Sequence, residues 1–179
     1  MRPAAFLLLM IPLLCTDCSK KNSTNPEIQS VEDLLLRDNE ISGWRRSAAG
    51  WVANNNQELF QSIDGAAPPY IQHGFVEGAG QEYSGSVLQD TTTIILWIFN
   101  VDEASKAEAL FNEMVVLLAS PETWQTDFFQ QAQINRSSEA QKIIAYKSKY
   151  YVSIDITSGM NEALEVLRMF AGNVGSKIP

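Results

Sequence analysis

The chain has 179 residues, of which 45% are hydrophobic and 19% charged, enough for one globular domain with a buried core plus some non-globular sequence. Thirteen basic residues against twenty-one acidic leave a formal net charge of −8, and no run of Lys or Arg forms a stripe. A field of that sign repels phosphate backbones, so no nucleic acid is expected among the partners.

The first element is a leader. One positive charge at Arg2 precedes an apolar stretch over residues 4–14, far short of the about 20 residues a helix needs to span a bilayer. Residues 1–17 therefore read as an export signal peptide. Cys15 and Cys18 follow, and then Ser19, Lys20, Lys21, Asn22, Ser23, Thr24 and Asn25, a polar and aperiodic tether. This arrangement resembles a bacterial lipoprotein, in which the first residue after cleavage is a cysteine carrying lipid. The resemblance implies lipidation on Cys18, because Ser19 and two lysines make a typical mature start. Cys15 and ordinary signal-peptidase cleavage stay open, since Asp17 and Leu14 stand where such signals place a small residue. It also implies an address: the cell envelope, held to a membrane through an N-terminal lipid and facing the periplasm, with secretion as the alternative. If either cysteine takes the lipid, no disulfide is left to the domain, and its core alone must hold it.

From residue 26 the pattern changes. Ser30 and Asp33 offer caps to a short helix carrying Leu34, Leu35 and Leu36. Residues 39–43 break it, and residues 44–52 read as a strand whose Trp44 and Trp51 are assigned to the core edge. The expected organisation is a leader over 1–17, a tether and short helix over 18–42, and a single domain over 43–175. Next, Leu59, Phe60 and Ile63 recur at helical spacing over residues 57–63. A turn at Asp64-Gly65 leads to a second short helix through Tyr70 to His73, with Pro68 and Pro69 tolerated in its first turn. Gly65 is expected to supply positive φ, Asp64 to bond to the turn's own N–H groups, Tyr70 to pack under the sheet, His73 to satisfy a last-turn carbonyl, and Gly74 to end the helix.

Trp44 after a glycine, then Leu59-Phe60-x-x-Ile63-Asp64-Gly65-x-Ala67-x-x-Tyr70-x-x-x-Gly74-Phe75, then Tyr83 and an apolar strand leading into an Ala-rich helix, resembles an uncharacterised family of exported bacterial proteins, a domain of unknown function. The likeness spans roughly residues 43–115. It implies export and brings no reaction with it. Pro68 and Pro69 stand where the relatives tend to have helix formers, often acidic.

The remaining elements follow in order. Residues 75–84, with Gly78 and Gly80, read as a weak or bulged strand. Residues 91–100 form the strongest strand: Ile94, Leu96 and Ile98 lie on one face and Ile95, Trp97 and Phe99 on the other, so both faces are expected to be covered. Asp102 is expected to cap a helix with Ala104, Ala107, Phe111, Met114 and Leu118 in one stripe, stopped by Ser120-Pro121. Residues 128–134 read as a strand, 141–147 and 150–157 as a hairpin through Ser148, and Ser158 as the cap of a last helix ending before Gly172. This order predicts an α+β fold, a mainly antiparallel sheet of five to six strands with helices packed on one face.

Chemistry is sparse. With one histidine in the chain, the best metal set is His73 with Asp64 and Glu77, too few and too scattered to assign, so no metal and no cofactor are assigned. Ser62, His73 and Asp64 could be arranged as a nucleophile set, but Gly-x-Ser-x-Gly is lacking, and Gly78-Ala79-Gly80 lacks the third glycine of a dinucleotide loop. No catalytic residue is assigned. The expected function is a non-catalytic binding or interaction module that meets an envelope protein or small ligand through Asp64, Tyr70 and His73. The alternative is a hydrolase-like enzyme using the same three residues.

Overall fold

Ser30 opens the part of the chain that the computed structural model describes, residues 30–179. The leader, Cys15, Cys18 and the tether lie outside the described residues. A 3-10 turn over Val31–Leu34 comes first, with the Asp33 carboxylate accepting the Ser30 N–H at 3.1 Å. Then follow β1 (Arg45–Arg46), β2 (Trp51–Ala53), α1 (Asn56–Ile63), a 3-10 turn (Asp64–Ala66), α2 (Pro68–Gln72), β3 (Phe75–Val87) and β4 (Asp90–Val101). The second half comprises α3 (Ala104–Val116), β5 (Pro121–Thr123), β6 (Gln131–Arg136), β7 (Gln141–Lys147), β8 (Tyr150–Ile156) and α4 (Asn161–Lys177).

The strands form one eight-stranded sheet in the order β1-β3-β4-β8-β7-β6-β5, with β2 also paired to β3, and every pairing is antiparallel. The fold is α+β, as the sequence predicts, but two features are corrected. The sheet has eight strands rather than five or six, because the strand expected over residues 44–52 is two short ones, β1 and β2, and β5 has three residues and no alternation to read. Helices cover both faces rather than one. On the first face, Ile94, Leu96 and Ile98 of β4 are fully buried under Leu167 and Phe170 of α4 and under Val31 and Leu34. On the second, Phe99 and Val101 pack with Leu59 of α1, Tyr70 of α2 and Leu110 and Phe111 of α3. A strand apolar on both sides needs cover on both sides, and the chain provides two helical layers for it.

The 3-10 turn belongs to this core: Val31, Leu34, Leu35 and Leu36 are all buried, ahead of the expected domain start at residue 43. Polar groups clamp it down. Glu77 Oε2 accepts the Val31 N–H at 3.4 Å, and the Leu36 carbonyl accepts from Arg46 Nε and from the Tyr83 hydroxyl, both at 3.0 Å. Burial, eased by Arg46, pushes the Tyr83 hydroxyl up to about 12.

β3 is no weak strand. Its bulge lies between Phe75 and Glu77, and its glycines serve packing. A Cβ at Gly80 would run into the Trp51 indole and one at Gly85 into Trp44, so the two tryptophans lie flat on opposite faces of β3. α4 likewise runs through Gly172 and Gly175 instead of stopping at Gly172. A Cβ at Gly172 would lie 3.0 Å from Phe128, so the missing side chains make room for Phe128 and Phe129 of the loop between β5 and β6. Two expected caps are also corrected. Glu103, not Asp102, is the N-cap of α3, and Asp102 pairs with Lys106 at 2.6 Å. Met160, not Ser158, is the N-cap of α4, with its N–H reaching Ser158 Oγ at 3.4 Å. In α3, Leu110 joins Ala107 and Phe111 in the core while Ala104 is exposed, and Pro121 opens β5 rather than stopping the helix, which has already ended at Val116.

Candidate functional site

The block over residues 62–75 is built largely by local rules. Asn55 caps α1 by accepting the Glu58 N–H at 3.0 Å. The positive φ of the turn falls on Asp64 (φ 46), not on Gly65, and the Asp64 carbonyl accepts the Ala67 N–H at 3.1 Å. Its carboxylate is exposed and makes no hydrogen bond among the described residues, which corrects the expected bond to the turn backbone. Pro68 and Pro69 occupy the first turn of α2, where their missing N–H groups leave no gap. Gly74 closes the helix with φ 77, and its carbonyl accepts the Asp102 N–H at 3.0 Å.

The three expected binding residues do not come together. Tyr70 is buried beneath α2, its ring stacked on Phe99 at 3.8 Å between centroids and tilted against Tyr151 at 6.0 Å. His73 reaches across to α3, where its Nε2 meets Glu113 Oε2 at 2.8 Å; it does not satisfy a last-turn carbonyl. Asp64 stays on the surface. Glu77 is committed to Asn100 Nδ2 at 2.8 Å, and Ser62 Oγ donates to the Glu58 carbonyl at 2.9 Å, so neither set weighed from sequence is assembled.

Gly74 and Gly65 separate geometry from composition. At Gly74 a side chain meets both positive φ and the Asp102 carboxylate, so Gly74→Val is expected to cost at least about 1–3 kcal/mol. At Gly65 nothing lies within 4 Å of a Cβ and φ is ordinary, so Gly65→Val is expected to stay within about 0.5 kcal/mol of wild type. Urea unfolding of the two variants reads both values.

A different cluster stands out on the second sheet face. Register places Trp97, Ser153 and Ile144 in one row across β4, β8 and β7, and Ile95, Asp155 and Lys142 in the next. The helices that bury Phe99 and Tyr151 do not extend this far. Ile95 is 39% exposed although its strand is central, which corrects the expectation that this face is covered throughout. Beside it, Asp155 Oδ1 meets Lys142 Nζ at 3.2 Å and its Oδ2 accepts from Ser153 Oγ at 3.4 Å. Burial raises the Asp155 carboxyl above its ordinary range, and Lys142 and Ser153 offset this only in part. Burial also raises the hydroxyls of Tyr70 and Tyr151, with the negative field of Asp155 adding to it. Neither hydroxyl has a hydrogen-bond partner among the described residues. Trp97, half-buried, meets Trp51 edge-on at 6.1 Å.

This arrangement can stack a ring and exchange hydrogen bonds. Ser153 has a carboxylate beside it but no imidazole, and the histidine of the chain is bound to Glu113. The sequence does carry a trace of the cluster: along β8, Tyr150, Val152, Ile154 and Ile156 alternate with Tyr151, Ser153 and Asp155, so one face turns polar as it leaves the helices.

The fold and this face define an α+β domain with an antiparallel sheet covered on one side and half-covered on the other. In particular, the chain is similar to the extracellular domain of PknH from Mycobacterium tuberculosis, with a TM-score of 0.50 over 82% of this chain and 93% of that one, at 13% sequence identity. At that identity the likeness is one of fold. No family model and no curated protein matches the sequence.

Proposed function

We propose that this chain is an exported, lipid-tethered module of the bacterial cell envelope that binds a partner or small ligand without catalysis of its own. Its contact surface is the uncovered half of the second sheet face, around Trp97, Ser153 and Asp155. Three things support the address: the short apolar leader before Cys15 and Cys18, the polar tether after them, and a fold similar to a domain described as extracellular. No helix among the described residues is long and apolar enough to cross a membrane.

One observation carries the surface. An interior strand of an eight-stranded sheet leaves Ile95 39% exposed beside a carboxylate whose charged form burial disfavours while 41% of its side-chain surface still meets water. Each feature costs stability, the one as apolar surface left in water and the other as a carboxyl whose charged form burial disfavours. A face held open at such expense is a place for something else to bind. Of the three residues expected from sequence, Tyr70 is the one whose hydroxyl the field of Asp155 reaches, and its side chain is buried.

The two halves of the reading are tested separately. Fatty-acid labelling is expected in wild type and lost in Cys18→Ala, since the acyl chain supplies about 0.8 kcal/mol of membrane affinity per buried CH₂. Labelling that persists in Cys18→Ala but not in Cys15→Ala moves the acceptor, and an unlabelled wild type removes the lipid. For the surface, a deletion strain is complemented with Ile95→Glu. The variant is expected to accumulate as folded protein and to fail to complement; full complementation would remove this face from the reading.

A further inference from the structure

We propose that residues 65–73, with α2 at their centre, form a lid that opens as a unit over Phe99 and Tyr151. Register makes Phe99 and Tyr151 the row next to Trp97 and Ser153 on the second sheet face, so an open lid lengthens the uncovered half of that face. The opening is local to this segment and needs no ligand. Little holds the segment down. Its backbone hydrogen bonds close on themselves: the Ile71 N–H donates to the Ala67 carbonyl and the His73 N–H to the Pro69 carbonyl, both at 3.2 Å. Pro68 and Pro69 have no N–H to give. Among the described residues, the one hydrogen bond from residues 65–73 to the sheet or to α3 is His73 Nε2 to Glu113 Oε2 at 2.8 Å. Packing supplies the rest, through Ala67, Ile71 and the Tyr70 ring stacked on Phe99.

Each end of the segment is built as a hinge. Asp64 stands at φ 46 and ψ −126, outside the left-handed region that a non-glycine residue tolerates, and its exposed carboxylate makes no bond that offsets the strain. Gly74 stands at φ 77, and the Asp102 N–H fixes its carbonyl at 3.0 Å, so the chain beyond it stays with the sheet while the chain before it can rotate. The closed lid also leaves polar groups unsatisfied. Tyr70 and Tyr151 are buried, and neither hydroxyl has a hydrogen-bond partner among the described residues. Lifting α2 lets water reach both hydroxyls, which offsets part of the exposure of the Tyr70 ring, and the strain at Asp64 relaxes in the same step. A segment so burdened when closed, and held by one polar cross-link, opens more readily than the strands beneath it.

The test is amide hydrogen exchange of the mature full-length protein, followed residue by residue by NMR in increasing urea. The Ile71 and His73 amides are expected to be protected at least about tenfold less than those of β4, through an opening nearly insensitive to urea. His73→Ala is expected to speed exchange in α2 by about fivefold to tenfold and to leave β4 unchanged, since it removes a hydrogen bond that only the closed lid makes. Tyr151→Phe removes a hydroxyl that only the open lid hydrates and is expected to slow exchange in α2. If Tyr151→Phe fails to fold, Tyr70→Phe is read in its place, with the same expectation. The lid is overturned if α2 and β4 exchange together with the same urea dependence, if His73→Ala speeds both alike, or if removing the hydroxyl leaves exchange in α2 as fast as in wild type.

Discussion

Leu96→Ala is expected to cost about 2–5 kcal/mol, because Leu96 is fully buried between the sheet and α4 and its loss leaves a cavity that a close-packed core only partly closes. Its neighbour gives the opposite result. Ile95 points to the uncovered half of the second face, so Ile95→Ala is expected to cost less than about 1 kcal/mol, and a charge there to be tolerated. Urea unfolding with a constant m-value reads both numbers. Equal losses at the two positions would mean that the face is covered.

The second large effect is Phe170→Ala, expected at about 3–5 kcal/mol. Phe170 is fully buried on α4 and meets two rings edge-on, Trp44 at 5.4 Å and Tyr83 at 5.2 Å. Those rings are held from below: Trp44 lies against β3 only because position 85 has no side chain, and Tyr83 is anchored through its hydroxyl to the Leu36 carbonyl. Removing the phenyl ring therefore loosens α4, β3 and the 3-10 turn together. Against a total stability of about 5–15 kcal/mol for a domain this size, the variant is expected to be largely unfolded at moderate temperature by circular dichroism. A loss below about 1 kcal/mol would mean that the Trp44–Phe170–Tyr83 contact is not where the layers are joined.

Local chemistry was legible in the sequence. The double alternation of residues 94–99 placed β4 in the middle of the sheet, the prolines at 68 and 69 marked the start of α2, Gly74 marked its end, and Ser148 marked a hairpin whose turn takes φ 53. What could not be read were relations between distant residues. Ile95 and Phe99 share a face and a hydrophobic character, and only the reach of α1–α3 decides that one is exposed and the other buried. His73 offers a donor to any acceptor in range, and nothing local names Glu113, forty positions on. Gly80 looked like a weak point in a strand and Gly172 like the end of a helix because the rings that need their space come from other elements. Strands as short as β1 and β2 exist only because β3 is there to pair with. The cluster around Asp155 was missed for the same reason, since its pairing with Lys142 exists only once β7 and β8 lie side by side.

The charge on Asp155 is directly open to measurement. A raised carboxyl means the folded protein holds the proton more tightly than the unfolded chain does. Asp155 therefore destabilises the fold increasingly as pH rises from about 4, the unfolded value, through its raised native value, and not below that window. The measurement is the melting temperature of Asp155→Asn against wild type from pH 4 to 8. The variant is expected to melt higher at neutral pH, with the gap opening as pH rises and closing toward about pH 4. A variant that melts lower than wild type at neutral pH would make the Lys142–Asp155 pair a structural anchor, and would contradict a surface kept open at the expense of stability.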